Sequence, residues 1–408
     1  MSLSYRIMIS MVAGVFFAMF IPIQTFPYPG FWQDIAQIFL IAWRYLVYPF
    51  LFFGLIMALA QLRREKRLGL MFSINTILII VLSFVMSLAG TLLATVLPIK
   101  RIPVQFEKIA LENPASGLSF LESLLPANAF SVFSLESLLP LLILAVLLGV
   151  NLSWDKEVTE PSYNLFDSLS RIFYHILSYT MRFAWVPIFF FSVHSVASLK
   201  QQDLSHYTSF LWTVSLSAVT CALTLAYILS KFLTTNKKAM HCWKNASHYW
   251  PIAFLSPNIH LNACIASYNS HQNAKIKRDL GGLTSPYFAL FARCGSVFVC
   301  SMAMVTILRS YSSLSLGIGQ VLGIFICSFL ASFMTSHSPE RSLVVMLPIA
   351  CMMYGKPLTS GSHILEPIIF HITILASFID SMFIMFALNL ISHFKKIEKK
   401  SALKIRNN

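Results

Sequence analysis

Apolar residues run along this chain in blocks of about twenty, the length a helix needs to cross a bilayer. Ile7–Phe26 is the first block and stops at the turn-forming Phe26-Pro27-Tyr28-Pro29-Gly30. Ile35–Ala60, broken only by Arg44, is the second, and the uncharged Leu70–Leu97 is the third. Between them lies the cluster Arg63-Arg64-Glu65-Lys66-Arg67, and a loop of mixed charge runs from Pro98 to Asn128. Ser137–Trp154, Leu169–Leu199 and Leu204–Leu229 read as spans four to six. The fifth carries Arg171 and Arg182, close to three turns apart and so on one helix face, where scaffold contacts or lipid headgroups suit them.

Beyond these spans the pattern changes. Residues 245–274 hold no formal charge, yet they are interrupted by Ser256-Pro257-Asn258, His260, Asn262 and Asn269. Such groups sit at membrane depth only where protein or a water-filled cavity surrounds them. A re-entrant hairpin with its tip near Ser256–Asn262 is therefore expected. Leu280–Leu308 reads as a seventh span with Arg293 near its middle. Leu316–Ser336 and Ser342–Tyr354 are apolar limbs around the polar break Ser338-Pro339-Glu340-Arg341, a second hairpin. Pro367–Phe394, with the single acid Asp380, is the last span, and a basic tail follows from Lys395. The order hairpin, helix, hairpin, helix places corresponding broken segments in two halves. That is the sequence signature of an inverted-repeat secondary transporter whose site lies where the tips meet.

Composition agrees with the pattern. Hydrophobic residues make up 57% of 408 and charged residues only 11%, against about a quarter charged in soluble domains. The net charge of +14 could indicate nucleic acid, so the basic residues need sorting. With the N-terminus inside, inner positions hold Arg6, four in 63–67, Lys156, three in 235–248, three in 275–278 and six in the tail, 18 of the 30. Outer loops hold Lys100, Arg101, Lys108, Lys200, Arg309 and Lys356. That bias is the positive-inside pattern, and no basic stripe is left for nucleic acid. The seven cysteines include no CxxC pair and suit buried thiols better than a disulfide framework or zinc site. The apolar run after Arg6 has no clear small-residue cleavage site and is read as a first span.

Several ordered motifs resemble the dicarboxylate/amino acid:cation symporter family of glutamate and aspartate transporters. They begin with Arg44-Tyr45-Leu46-Val47-Tyr48-Pro49-Phe50 and the later Leu68-Gly69, followed by Leu124-Leu125-Pro126-Ala127-Asn128-Ala129-Phe130 before the fourth helix. Thr284-Ser285-Pro286 and Ala292-Arg293-Cys294-Gly295-Ser296 sit where the family has Thr-Leu-Pro and Asn-Met-Asp-Gly-Thr. Thr335-Ser336-His337-Ser338-Pro339 and Gly355-Lys356-Pro357-Leu358 sit where it has Thr-Ala-Gly-Val-Pro and Gly-Leu-Pro-Leu. The resemblance implies an all-α polytopic membrane protein of eight transmembrane helices and two re-entrant hairpins, assembled as a homotrimer. It implies an elevator in which a transport core, residues 236–394, moves against scaffold helices in 1–235, with the third and sixth helices candidates to travel with the core. It also implies symport of glutamate, aspartate or a dicarboxylate at a bacterial inner membrane, both termini cytoplasmic, with no cofactor beyond a coupling Na+ or H+.

The departures from the family fall on the chemistry. Its sodium-binding helix motif has lost Asn and Asp, replaced by Ala292 and Cys294, and keeps Gly295 and the hydroxyl of Ser296. Hard cations take oxygen ligands, so proton coupling through Asp380 or His260 stands beside sodium. Gly295, Asp380, Asn389 and His260 are the candidates for cation coupling. Candidate substrate contacts are Arg293, Ser296, Asp380, Asn389, Asn258 and Ser338. Arg293 could clamp a carboxylate bidentately or serve as an ion-pair partner of Glu340 or Asp380. Glu340-Arg341 could gate the site or form a solvated turn, and His260 and His337 could relay protons or simply be hydrogen-bonded. The rival readings are a diverged paralogue with another solute and a membrane scaffold that no longer transports. No GxSxG, HExxH or Walker A motif supports an enzyme.

Overall fold

Hydrocarbon offers no partner to backbone N–H and C=O groups, so an apolar block in a bilayer closes its own hydrogen bonds as a helix. All regular structure among the described residues is helical. The computed structural model describes residues 3–20, 31–103, 128, 131–133, 138–154, 156–201, 206–233, 259–272, 276–311, 316–335, 342–359 and 361–406. In chain order the helices are α1 (Leu3–Phe20), α2 (Phe31–Arg64), α3 (Leu68–Val96), α4 (Leu138–Asn151), α5 (Lys156–Arg182), α6 (Trp185–Gln201) and α7 (Thr208–Leu233). They continue with α8 (Ile259–Gln272), α9 (Arg278–Phe291), α10 (Cys294–Tyr311), α11 (Ile318–Met334), α12 (Ser342–Tyr354) and α13 (Ile369–Arg406). Short 3-10 segments cover Ser131–Phe133 and Gly361–Ile368.

Among the described residues five helical stretches are long and apolar enough to cross a membrane, or six if one bent pair counts as a single span. That bent pair corrects the expectation of one straight fifth span. α5 starts at Lys156, well before Leu169, and meets α6 at an angle of 57°. Pro187 explains the break, because it has no N–H to donate back to the Phe183 carbonyl. The chain there makes tighter bonds instead, Ala184 N to Met181 O and Val186 N to Phe183 O. The seventh span is also broken, at Ala292-Arg293 between α9 and α10. The fourth is shorter than expected: α4 has 14 residues, about 21 Å of helix against a hydrocarbon core of about 30 Å.

Packing divides unevenly. α1 lies along α6, and α2 touches α4, α5, α6 and α9. α10 is enclosed by α3, α11, α12 and α13, and α9 by α2, α8 and α13. In the most apolar stretch of the α9–α10 and α13 spans 94% of residues are buried, against 44% for α3 and 28% for α7, so these two spans form the centre. α11 and α12, the segments expected as limbs of the second hairpin, pack on each other. Of the first hairpin only the limb α8 is described. Ser256, Asn258, His337, Ser338, Glu340 and Arg341, expected at the hairpin tips, lie outside the described residues, as does Cys242; the six described cysteines are free thiols.

Three basic side chains close the ends of neighbouring helices. Arg63 donates to the Val150 carbonyl of α4 at 2.8 Å. Lys200 donates to Ala18 and Met19 carbonyls at the end of α1, at 2.7 and 2.8 Å. Arg309 donates to Thr95 and Leu97 carbonyls at the end of α3, at 2.6 and 3.3 Å. The last carbonyls of a helix have no partner of their own and carry partial negative charge, so a cation there satisfies both.

A close crossing joins α3 to α10 at Gly90. A Cβ at this position would lie 2.7 Å from the Phe298 carbonyl oxygen and would overlap Ser301 Oγ. Gly90→Val is expected to cost about 1–3 kcal/mol by overpacking, read as a lower thermal midpoint of the purified full chain. Gly54→Ala, where a Cβ meets nothing within 4 Å, is expected to leave the midpoint unchanged.

Candidate functional site

The break in the central span creates the site. α9 ends with Ala292 N donating to Phe288 O at 2.8 Å, and α10 begins with Val297 N donating to Arg293 O at 2.8 Å. The N–H groups of the first turn of α10 therefore have no carbonyl within their own helix. They meet the carboxylate of Asp380 from the middle of α13. Gly295 N donates to Oδ1 at 2.6 Å, Ser296 N to the same oxygen at 3.4 Å, and Ser296 Oγ to Oδ2 at 2.7 Å. A carboxylate at a helix N-terminus gains from charge-assisted bonds and from the helix dipole. Asp380, Ser296 and Arg293 are all fully buried.

Glycine is required at 295 by this contact. A Cβ there would overlap the Ala376 carbonyl and the Ile379 side chain on α13. Only a bare backbone lets the α10 start approach α13 closely enough for Asp380 to reach it. Arg293, within the break itself, is the largest wholly buried side chain among the described residues and acts electrostatically on Asp380. Removing either charge leaves the other buried without its counter-charge.

Other hydroxyls fasten the surrounding helices. Ser285, beside Pro286 in α9, donates to the Ala263 carbonyl of α8. Ser87 of α3 and Ser328 of α11 are 2.8 Å apart. On another side, α5 meets α8 and α9 through a polar seam. Arg278 donates to Ser170 Oγ at 2.5 Å and lies 4.0 Å from Asp167. Gln272 donates to the Tyr174 hydroxyl at 3.1 Å, and Ser178 and Tyr268 hydroxyls are 3.2 Å apart. A cavity of about 200 Å³ opens beside this seam.

Three of the sequence-derived candidates thus meet through hydrogen bonds, Gly295, Ser296 and Asp380, and Arg293 lies buried in the same helix break. Asn389 lies elsewhere; it is buried on α13, and its amide donates to Met385 O of its own helix at 2.8 Å. His260 falls in the first turn of α8, while Asn258 and Ser338 lie outside the described residues. Arg171 is exposed and pairs with Asp167 at 2.8 Å, and exposed Arg182 stacks 4.9 Å from the Tyr179 ring centre. No group of three or more His, Cys, Asp or Glu able to hold a metal ion occurs among the described residues. Sequence reasoning missed the role of Asp380 as the partner of the α10 N-terminus, and missed Ser285. The nearest signal was the pairing of Gly295-Ser296 with a lone buried acid in another span.

Apolar spans around a charged centre at a helix break define a polytopic, all-helical membrane protein. The family model described as the sodium:dicarboxylate symporter family matches residues 3–390, and the chain belongs to that family. Among curated proteins none matches the chain significantly. Membership makes it a multi-pass, cation-coupled membrane transporter.

The family's ion fits this centre poorly. A carboxylate offers about four lone-pair sites, and three protein donors already engage Asp380. Ala292 and Cys294 bring no side-chain oxygen, and the residue between them in the break is the buried arginine Arg293.

Asp380→Ala is expected to cost about 3–5 kcal/mol, because it strands the buried arginine and the α10 N-terminus. The double variant Asp380→Ala/Arg293→Met is expected to recover part of that loss. Thermal or denaturant midpoints of the four proteins in one cycle measure the coupling; purely additive losses would show that the two residues do not act as a pair.

Proposed function

We propose that this chain is a secondary active transporter of small carboxylates, with glutamate, aspartate and dicarboxylates as the substrate class. Residues 236–394 form its moving core, with hairpins 245–274 and 316–355 and the helices that follow them, and residues 1–235 form mainly scaffold. The shorter apolar helices α1 and α4 bring the crossings to eight, if α5–α6 and α9–α10 each count as one. The working unit is a homotrimer in a bacterial inner membrane, both termini in the cytoplasm. The core moves as an elevator, and substrate enters between the two hairpin tips.

The observation that carries this reading is the buried Arg293–Asp380 centre at the break of the central span. Ionisable groups at membrane depth are costly and mark substrate or ion paths. A scaffold that only holds a trimer together has no need of a charged pair inside its most enclosed helices. Arg293 supplies positive charge of planar, forked geometry suited to a carboxylate. Ser296 and Asp380 hold the start of α10 in place beside it, and Asn258 and Ser338 belong to the tips that would close over the substrate.

The test is uptake by proteoliposomes holding the full chain, with inward sodium and proton gradients imposed separately. Accumulation of labelled aspartate, glutamate or succinate is expected under at least one gradient, and Arg293→Ala is expected to lower it by about tenfold or more, the scale of one lost charge-assisted contact. Failure to accumulate any of the three under either gradient would overturn the reading. Unchanged uptake by a folded Arg293→Ala protein would remove Arg293 from substrate binding.

A further inference from the structure

We infer that the guanidinium of Arg293 stands in for sodium in the transport core, as a cation tethered to the chain, so that transport proceeds without sodium. The inference rests on the transport reading above and concerns the ion used by the same site.

The central span breaks at Ala292-Arg293, and the buried carboxylate of Asp380 lies at that break. Buried carboxylates are held by donors and a counter-charge. Here the donors are two backbone N–H groups and a hydroxyl of the α10 start, and the counter-charge is Arg293. Sodium is a hard cation that requires several oxygen atoms turned towards it. The Asp380 oxygens are turned towards N–H and O–H donors instead. Residue 294 offers a sulfur and residue 292 a methyl group. The Phe291 carbonyl at the end of α9 accepts from Arg293 N at 3.2 Å.

Charge argues in the same direction. Arg293 is always protonated and is shut away from solvent. A sodium ion entering beside it would meet a like charge in a medium that screens poorly. A free ion can bind on one side of the membrane and leave on the other, and that difference is what couples a gradient to transport. A tethered cation travels in both directions with the core, so this centre draws nothing from a sodium gradient.

Two measurements on the full-length protein decide the matter. In proteoliposomes loaded with succinate, exchange with external labelled succinate is expected at the same rate in sodium and in N-methylglucamine salts; a rate that rises with sodium overturns the inference. In detergent, the thermal midpoint is expected to be the same in NaCl and KCl of equal concentration. A sodium-specific rise in the unaltered protein overturns it too. Arg293→Met, which removes the charge and keeps the bulk, is expected to gain a sodium-specific rise, whereas Arg293→Lys is not. A folded Arg293→Met protein indifferent to sodium shows that the guanidinium is not what replaces the ion. If Arg293→Met does not fold, the unaltered protein and Arg293→Lys decide. Absence of exchange in both salts would strike the transport reading, and the thermal comparison, which needs no substrate, would still judge the ion.

Discussion

A single carboxylate holds the centre of this protein together. Asp380 takes the N–H groups that the break before α10 releases, and the buried charge of Arg293 lies within that same break. Without that acid, the start of α10 would present unsatisfied donors to an apolar interior, at a cost of about 1–3 kcal/mol for each. Without the arginine, the acid would be a lone buried ion, which is costlier still. Helix break, glycine, hydroxyl, acid and arginine are therefore mutually dependent, and a change in one alters the requirement on the rest.

The same rule governs the periphery in weaker form. Arg63, Lys200 and Arg309 each reach the terminal carbonyls of a neighbouring helix. Charge is scarce in this chain, and it is concentrated where helices end. The start of α10 takes an acid and the ends of α1, α3 and α4 take a base, and both follow from the direction of the backbone dipole. Lys200 and Arg309 belong to the minority of basic residues placed outside by the topology reading. Their bonds to α1 and α3 supply a structural reason for basic residues at those positions.

The sequence showed much of the fold because apolar length is a direct physical requirement of the bilayer. α2, α3, α7 and α13 begin or end close to the blocks read from the pattern. Breaks were harder to place, since hydrophobicity does not register a missing N–H. Pro187 was visible, yet its apolar neighbours made 169–199 look continuous. Arg293 announced itself as a charge within an apolar run, and Asp380 did so for the same reason. Asp380 was one of two partners weighed for Arg293, beside Glu340, but its hold on the start of α10 was not legible, because it depends on how α13 packs against α10 at Gly295. Asn389 shows the opposite error. A polar residue in the last span looked like a site residue, but its amide bonds to its own helix backbone, as short polar side chains commonly do.

Family membership and local chemistry bear on different questions in this chain. The match across residues 3–390 concerns architecture, which is maintained by apolar length and by close crossings such as those at Gly90 and Gly295. The ion is chosen by a handful of atoms at one break. Replacing an acid and an amide there by Cys294 and Ala292 removes oxygen, and placing arginine between them adds fixed charge. Neither change disturbs the helices, because Asp380 still satisfies the start of α10. On the inference drawn above, the architecture persists while its central charge passes from a mobile ion to a side chain. The arrangement that makes this exchange tolerable is the carboxylate supplied from the facing helix.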